Sequence, residues 1–183
     1  AGEPWGADLV GLFVGSEGMF GIATEITLRL VPVPPSVCTL LADFAALRAA
    51  GEAVTRIIAA GIVPAAMEMM DRSTVQLVEA SIYAAGYPVD AAAVLLVEVD
   101  GRTAAVAAEA AHAEAICREA GARAVRVATT ATERERLWQG RKKAFGAMGR
   151  ASADIMVQDA VVPRTALPDV LEAIAAIAAR HRV

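Results

Sequence analysis

The sequence predicts an α+β fold in which helices pack on one face of an antiparallel, ferredoxin-like sheet. Two observations support this prediction. Strand-like and helix-like segments alternate along most of the chain, and the order β-α-β occurs twice, with a helix joining the two units. Chain order alone also permits a parallel sheet, but the short strands and the length of each unit favour α+β.

The composition is that of a globular protein with a sizeable core. Hydrophobic residues make up 56% of the 183 residues and charged residues 21%, which excludes disorder. The formal net charge of −4 provides no basic surface for nucleic acid. No segment resembles a signal peptide or a membrane span. Cys38 and Cys117 are isolated cysteines without CxxC spacing, which indicates buried thiols in a reducing compartment and not a disulfide framework. We therefore predict a cytoplasmic protein without a nucleic-acid partner.

The first 35 residues differ from the rest of the chain. An apolar run at residues 9–14 precedes the glycine-punctuated GSEGMFG at residues 15–21. Apolar and polar side chains then alternate over residues 22–31, which predicts a strand. VPVPP at residues 31–35 cannot continue a hydrogen-bonded ladder and predicts a domain boundary. A single strand cannot bury its own apolar face, so we expect an exposed edge through which two copies could associate.

The elements after this boundary are predicted from apolar spacing and turn residues. Strands are expected at residues 38–44, 65–70, 94–100, 125–127 and 154–158, and helices at residues 47–58, 73–85, 103–117, 133–148 and 165–178. The last three helices are predicted to be capped by Thr103, Thr132 and Thr165, and Glu135 completes a capping box with Thr132 at the helix of residues 133–148. Gly61 is expected just past the end of the helix at residues 47–58.

The glycine loop is the first candidate for a binding function. Gly15, Gly18 and Gly21 lie three residues apart and lead directly into the predicted strand. Such spacing lets backbone N–H groups approach a phosphate or a planar ring without obstruction by Cβ atoms. It is not the dinucleotide-binding fingerprint, because a strand follows the loop instead of a helix. On spacing alone, a structural turn is the more frequent role and a cofactor contact is the alternative.

Residues 8–34, DLVGLFVGSEGMFGIATEITLRLVPVP, resemble the segment that ends the FAD-binding domain of the vanillyl-alcohol-oxidase-type flavoproteins. In that family, this loop and strand lie against FAD, largely through main-chain groups. Met19 and Phe20 replace the usual Thr and Leu, which removes one hydroxyl but leaves the backbone contacts. The resemblance implies cofactor contacts at Ser16, Glu17, Gly18, Met19, Gly21 and Ile22.

The resemblance extends along nearly the whole chain. PAAMEMMDR at residues 64–72, AGYPVDAAAVLLVEVDG at residues 85–101 and the segment 135–171 are similar to the group of that family that comprises the FAD-binding subunits of glycolate oxidases and the D-lactate dehydrogenases. This implies that residues 1–35 end an FAD-binding domain and that residues 36–183 form a substrate or cap domain, truncated at its C-terminus. It also implies oxidation of a 2-hydroxy acid (glycolate or D-lactate) to the 2-oxo acid, with other oxidase subunits as partners.

Arg141 is the second candidate for a binding function. Its neighbours three and four residues away along the helix include Leu137, Trp138 and Phe145, so a guanidinium lies within an apolar stripe. Because an unpaired buried cation is costly, a carboxylate should meet it. That carboxylate is either internal, such as Asp154 or Asp159, or belongs to a substrate, for which a bidentate arginine is suited. The resemblance adds weight to the substrate, because the matching arginine binds the substrate carboxylate in the family.

Several other residues are expected to be structural. Met67, Met69 and Met70 fill the core on a strand, and Glu68 between them is a solvated or paired carboxylate. His112 and His181 are expected at the surface, so neither a metal site nor a catalytic base is assigned.

The parts that catalysis needs in the family are missing from this sequence. The glycine-rich loop that holds the FAD pyrophosphate and the histidine motif that supplies metal ligands and base do not occur in these residues, so the fragment itself is expected to be inactive. The alternative is a stand-alone ferredoxin-like binding module without redox activity. The loop at Gly15–Gly21 favours the oxidoreductase, because such a module has no need of it.

Overall fold

A computed structural model describes residues 6–152 and 154–181. The chain divides into two compact units, Ala1–Val33 and Pro34–Val183. None of the helices in the described part of the chain has the length and hydropathy needed to cross a membrane.

The first unit contains one short helix and no strand among its described residues. Helix α1 spans Leu9–Phe13, and the Asp8 carboxylate caps it by accepting the Gly11 N–H at 2.8 Å. Residues 21–34 form neither helix nor strand, so the strand predicted at residues 22–31 is wrong. Alternating side chains make a strand only where a second strand completes the ladder, and no described segment of this unit provides one.

The second unit contains four strands and six α-helices among its described residues. In chain order they are β1 (Ser36–Phe44), α2 (Leu47–Ala59), β2 (Ala66–Asp71), α3 (Arg72–Glu79), β3 (Ala93–Gly101), α4 (Thr103–Glu119), β4 (Ala122–Val127), α5 (Ala131–Lys142), α6 (Ala144–Met148) and α7 (Leu167–His181), with a 3-10 turn at Arg164–Ala166 before α7.

The four strands form one antiparallel sheet in the order β2-β3-β1-β4. In the two central strands, Leu40 lies opposite Val97, and on the outer side of β1 Leu41 lies opposite Arg126. This order results when two β-α-β units interleave, with the first strand of each unit at the centre. The predicted α+β class and ferredoxin-like arrangement are confirmed.

Helices cover both faces of the sheet, and not one face as predicted. Helices α2 and α4, which belong to the repeated units, pack on the first face. Its core contains Leu40, Ala42, Phe44, Ala50, Ala53, Ile57, Leu95, Val97, Val99, Val106, Ala113 and Cys117. Helices α3, α5 and α6 cover the second face. Its core contains Leu41, Met70, Val75, Val78, Tyr87, Val94, Leu96, Leu137, Ala144 and Ala147. Because β3 is apolar on both sides, a second layer of helices has a surface to bury.

Helix ends account for most remaining differences from the prediction. Thr103 is the first residue of α4, and the preceding Arg102 makes no side-chain cap. Thr130 and not Thr132 caps α5: TTATERE at residues 129–135 contains two overlapping capping-box patterns, and the side chains of the first pattern make the contacts at the helix start. The Thr130 hydroxyl accepts the Glu133 N–H at 3.1 Å, and the Glu133 carboxylate accepts the Thr129 N–H at 2.9 Å.

The last two differences lie near the C-terminus. Residues 155–163 form no strand, so the strand predicted at residues 154–158 is wrong: no described segment pairs with it. Thr165 lies inside the 3-10 turn at Arg164–Ala166, two residues before α7 begins at Leu167, so it is not the residue that directly precedes that helix. Helix α7 then packs on α2, where the Arg48 Nη2 lies 2.6 Å from Glu172 Oε2 and 2.7 Å from Asp169 Oδ1.

Candidate functional site

Helix α5, which carries Arg141, is fixed against the second face of the sheet. Leu137 is fully buried there, and the Tyr87 hydroxyl donates a hydrogen bond to the Leu137 carbonyl. Burial raises the pKa of the Tyr87 phenol, so this donor keeps its proton. The turn that holds Tyr87 is itself ordered by Glu79, whose Oε1 accepts the backbone N–H groups of Ala85, Gly86 and Tyr87 at 2.8–3.0 Å.

A buried carboxylate, Glu98 on β3, fixes the middle of α5 through Arg134 and Trp138. Its Oε2 accepts hydrogen bonds from Thr39 Oγ1 at 2.5 Å, Trp138 Nε1 at 2.5 Å and Arg134 Nε at 2.8 Å, and its Oε1 accepts one from Arg134 Nη2 at 2.8 Å. Burial alone would raise the pKa of Glu98, but the hydrogen bonds from Arg134, Thr39 and Trp138 outweigh it and hold the pKa below its usual range. The group is therefore a charged structural anchor.

The sequence prediction missed this anchor. One signal could have revealed it: Glu98 is the single charged side chain within the apolar run of residues 93–99. A carboxylate in a strand that is apolar on both faces must be buried with a partner.

The carboxylate that meets Arg141 is Glu68 on the edge strand β2. The Glu68 Oε2 accepts a hydrogen bond from Arg141 Nε at 3.0 Å and lies 2.9 Å from Arg141 Nη2. The expectation of an internal carboxylate is thus correct, but Asp154 and Asp159 were the wrong candidates. Each side chain of the pair keeps 38% of its surface exposed, because β2 is the last strand of the sheet on that side.

Arg141 also forms part of the wall of a cavity of about 580 Å³. The cavity lies between β2, α6 and α7, and its described lining consists of Leu47, Met69, Met70, Asp71, Thr74, Arg141, Ala144, Phe145, Met148, Val157, Leu171, Ile174, Ala175 and Ala178. Asp71 is occupied as the cap of α3, where it accepts the Thr74 N–H at 3.0 Å. Within this described lining, Arg141 is therefore the one cationic group of an otherwise mainly apolar wall.

In the first unit, the candidate cofactor residues gather around one turn. The Ser16 N–H donates to the Phe13 carbonyl at 3.1 Å, and the Met19 N–H donates to the Ser16 carbonyl at 2.9 Å. Gly15 and Gly18 have φ angles of 80° and 82°, which favour glycine. A Cβ atom at either glycine would meet no described heavy atom within 4 Å. The backbone of the turn is thus open to an approaching group.

The remaining candidates are exposed. Of the other cofactor candidates, Glu17, Gly21 and Ile22 lie at the surface of the first unit. His112 and His181 are exposed as well, and no group of three or more metal-ligating side chains occurs among the described residues.

A model of the family described as "FAD linked oxidases, C-terminal domain" matches residues 33–183. The chain belongs to this family. The predicted resemblance is thereby confirmed, although the family match by itself assigns no role to Arg141 or to the glycine loop.

Three curated relatives illustrate the range of similarity. Glycolate oxidase subunit GlcD of Escherichia coli (strain K12) is 48% identical over 96% of this chain and 35% of its own length. The protein of the same name in Bacillus subtilis is 41% identical over 97% of this chain and 38% of its own length. The probable mitochondrial D-lactate dehydrogenase of Danio rerio is 30% identical over 91% and 33%. The chain thus spans about a third of the length of these relatives.

A solved structure of alkyldihydroxyacetonephosphate synthase has the same fold. It superimposes with a TM-score of 0.70 over 96% of this chain and 37% of that protein, at 18% sequence identity. At this identity the likeness supports the architecture alone.

Proposed function

We propose that this chain is part of an FAD-dependent oxidoreductase that oxidises a 2-hydroxy acid to the 2-oxo acid. The observation that carries the proposal is the 48% identity to a glycolate oxidase subunit over 96% of the chain. The similarity to a D-lactate dehydrogenase points to the same substrate class, since glycolate and D-lactate are both 2-hydroxy monocarboxylates. The word "subunit" in the relatives' names supports assembly with other oxidase subunits.

In this proposal, residues 1–35 end the FAD-binding domain and residues 36–183 belong to the substrate or cap domain. The open backbone of the turn at Gly15 and Gly18 fits an approaching flavin or phosphate group, because no described side chain obstructs it. Ser16, Glu17, Gly18, Met19, Gly21 and Ile22 are the residues that would contact FAD. When bound, FAD supplies the acceptor for the two electrons of the oxidation.

Arg141 is proposed to bind the substrate carboxylate. Arg141 lines a cavity whose wall is otherwise mainly apolar, and a charge-assisted, bidentate contact there would both hold and orient a small acid. Because α5 is fixed by Leu137 and Tyr87, the helix does not need a cation at position 141 for packing.

Kinetics and a thermal melt of Arg141→Lys in the full-length protein test this role. A substrate ligand predicts a folded variant with a raised KM for glycolate and D-lactate. Loss of the bidentate contact should cost about 2–4 kcal/mol of transition-state stabilisation, which lowers kcat/KM roughly 30-fold to 1,000-fold. Arg136→Lys is the matched control, because Arg136 is exposed on the same helix. An unchanged KM together with a reduced melting temperature would show that Arg141 is structural.

A further inference from the structure

We infer that Glu68 is a positioning residue for Arg141: it holds one edge of the guanidinium so that the other edge presents a fixed pair of N–H donors to the substrate carboxylate. This inference rests on the proposed role of Arg141 in substrate binding. Nothing in the family match or in the names of the relatives assigns a role to Glu68.

The geometry of the pair supports this division of the guanidinium. Arg141 approaches Glu68 through Nε and Nη2, the two nitrogens of its side edge, and both contact the same oxygen at 3.0 and 2.9 Å. A guanidinium has a second fork, formed by Nη1 and the remaining N–H of Nη2. Arg141 Nη1 makes no hydrogen bond to any described residue. The second fork is therefore available for a second carboxylate.

The strand position of Glu68 makes it a rigid support. Glu68 lies on β2, opposite Leu96 of β3 in the antiparallel ladder, so its backbone is fixed by the sheet. A long arginine side chain has several rotatable bonds, and a substrate ligand must be held within a fraction of an ångström of its working position. A carboxylate on a paired strand supplies this restraint at the side edge of the guanidinium, at Nε and Nη2.

Helix α5 does not depend on Glu68 for its own position. Glu98 anchors Arg134 and Trp138, and the Tyr87 hydroxyl binds the Leu137 carbonyl. In contrast to the buried Glu98, Glu68 and Arg141 are both 38% exposed, and ion pairs with such exposure stabilise folded proteins only weakly. The effect of Glu68 should therefore fall on Arg141 and not on folding.

The competing interpretation is that Glu68 acts as an internal anion that competes with the substrate for Arg141. The two roles predict opposite changes in catalytic efficiency. If Glu68 competes, its neutralisation frees the guanidinium, and kcat/KM rises. If Glu68 positions Arg141, its neutralisation lets the guanidinium turn, so the substrate binds in geometries that do not react, and kcat falls.

The experiment compares the Glu68→Gln and Glu68→Asp variants with the parent, each as the full-length, FAD-loaded protein, with glycolate and D-lactate as substrates. Positioning predicts that Glu68→Gln lowers kcat at least tenfold, changes KM less than kcat, and leaves the melting temperature within about 3 °C of the parent. Glu68→Asp should recover part of the lost kcat, because it restores the charge on a shorter side chain. Glu52→Gln is the charge-matched control, since Glu52 is exposed on α2, which packs on the opposite face of the sheet.

Three results would overturn the inference: an unchanged kcat in Glu68→Gln, a raised kcat/KM, or an equal loss of kcat in Glu52→Gln. The Arg141→Lys variant distinguishes a failure of the positioning role of Glu68 from a failure of the proposed substrate role of Arg141. If Arg141→Lys raises KM while Glu68→Gln leaves kcat unchanged, only the positioning role is wrong. If Arg141→Lys leaves KM unchanged, the substrate role of Arg141 is wrong, and the positioning role is wrong with it.

Discussion

At the scale of single residues, two glutamates on neighbouring strands face the same helix in different environments. Glu98 is only 8% exposed and accepts four hydrogen bonds, whereas Glu68 lies at the edge of the sheet and is partly exposed. A buried carboxylate with every partner in place is costly to disrupt, because its donors lose their acceptor as well. The same side-chain chemistry therefore supports folding at one position and is free to serve binding at the other.

The first prediction concerns Glu98→Gln. The amide can accept hydrogen bonds through its oxygen, but its NH₂ group then faces the donors of Arg134 or Trp138, and the ion pair is lost. We expect the free energy of unfolding at pH 7 to fall by about 2–4 kcal/mol. Urea denaturation of the 183-residue chain measures this change. A loss below about 0.5 kcal/mol, the usual effect of a surface substitution, would contradict the structural role of Glu98.

The second prediction is the pH dependence of that contribution. The folded-state pKa of Glu98 is below its usual range, so the unfolded chain binds the proton more readily. The stabilisation by Glu98 is therefore complete above the ordinary glutamate pKa of about 4.3 and is lost as the pH falls through the depressed folded-state pKa. The difference in unfolding free energy between parent and Glu98→Gln should shrink as urea denaturation is repeated from about pH 6 to about pH 3. A constant difference over this range would be inconsistent with the lowered pKa.

At the scale of elements, α5 approaches the turn before β3 so closely that only glycine fits at position 140. A Cβ atom there would lie 2.7 Å from the Tyr87 hydroxyl oxygen and 2.8 Å from Ala85 Cβ. This contact and the hydrogen bond from Tyr87 to the Leu137 carbonyl set the distance between helix and turn. The position of Arg141, the next residue, depends on that distance.

The third prediction compares Gly140→Ala with Gly146→Ala. In an isolated helix, alanine is better than glycine by up to about 1 kcal/mol, and a Cβ atom at Gly146 meets no described heavy atom within 4 Å. Gly146→Ala should therefore leave the melting temperature unchanged or raise it. Gly140→Ala should lower stability by about 1–3 kcal/mol, because overpacking outweighs helix propensity. Equal melting temperatures for the two variants would show that the close approach at Gly140 does not exist.

Some elements are predictable from the sequence and others are not. The strands β1, β2 and β3 and the helix α2 with Gly61 after it are recognisable because apolar period and turn residues agree locally. Residues 22–31 show the same alternation but form no strand, since a ladder also requires a partner. Helix α3 ends at Glu79, six residues before the predicted end, because the Glu79 carboxylate binds three backbone N–H groups of the following turn.

The sequence predicted that a carboxylate meets Arg141, but not which residue provides it. The apolar neighbours of Arg141 along its helix indicated that a carboxylate must meet it. The identity of that carboxylate is set by the sheet: Glu68 is 73 residues away in sequence, and only the order β2-β3-β1-β4 brings its strand under α5. Asp154 and Asp159 were nearer in sequence but lie in a segment without helix or strand.

At the scale of the whole molecule, the two units differ in how much apolar surface they bury. The second unit has a core on each face of its sheet. In the first unit, described apolar side chains such as Leu9, Ile22 and Leu30 are 62%, 90% and 90% exposed. A segment with so little burial has little to offset the conformational entropy of ordering it. Its stability in the proposed oxidoreductase should come from contacts with the rest of an FAD-binding domain.

The fourth prediction is that the 183-residue chain by itself binds FAD no more tightly than micromolar and oxidises neither glycolate nor D-lactate. The open turn at Gly15 and Gly18 offers backbone contacts only, and the family's pyrophosphate loop and histidine motif do not occur in these residues. Absorbance at flavin wavelengths after gel filtration and an assay with an artificial electron acceptor check both parts. A yellow protein with one flavin per chain would contradict the prediction.

The last prediction concerns hydrogen exchange in the same chain. Backbone amides of Leu9–Gly21 and of the following residues to Val33 should exchange far faster than those of β3 at Val94–Val99, which is the second strand from the edge and lies between two helical layers. The first unit has one five-residue helix and no ladder among its described residues, so few of its amides are protected.

Exposed apolar side chains also invite association between copies, and pairing would protect residues 22–31 as the protein concentration rises. Exchange measured at protein concentrations of about 5 and about 200 μM distinguishes an unpaired first unit from one that is protected by association between copies. Protection of Leu9–Gly21 equal to that of Val94–Val99 at the lower concentration would mean that the first unit folds independently, against the burial described above.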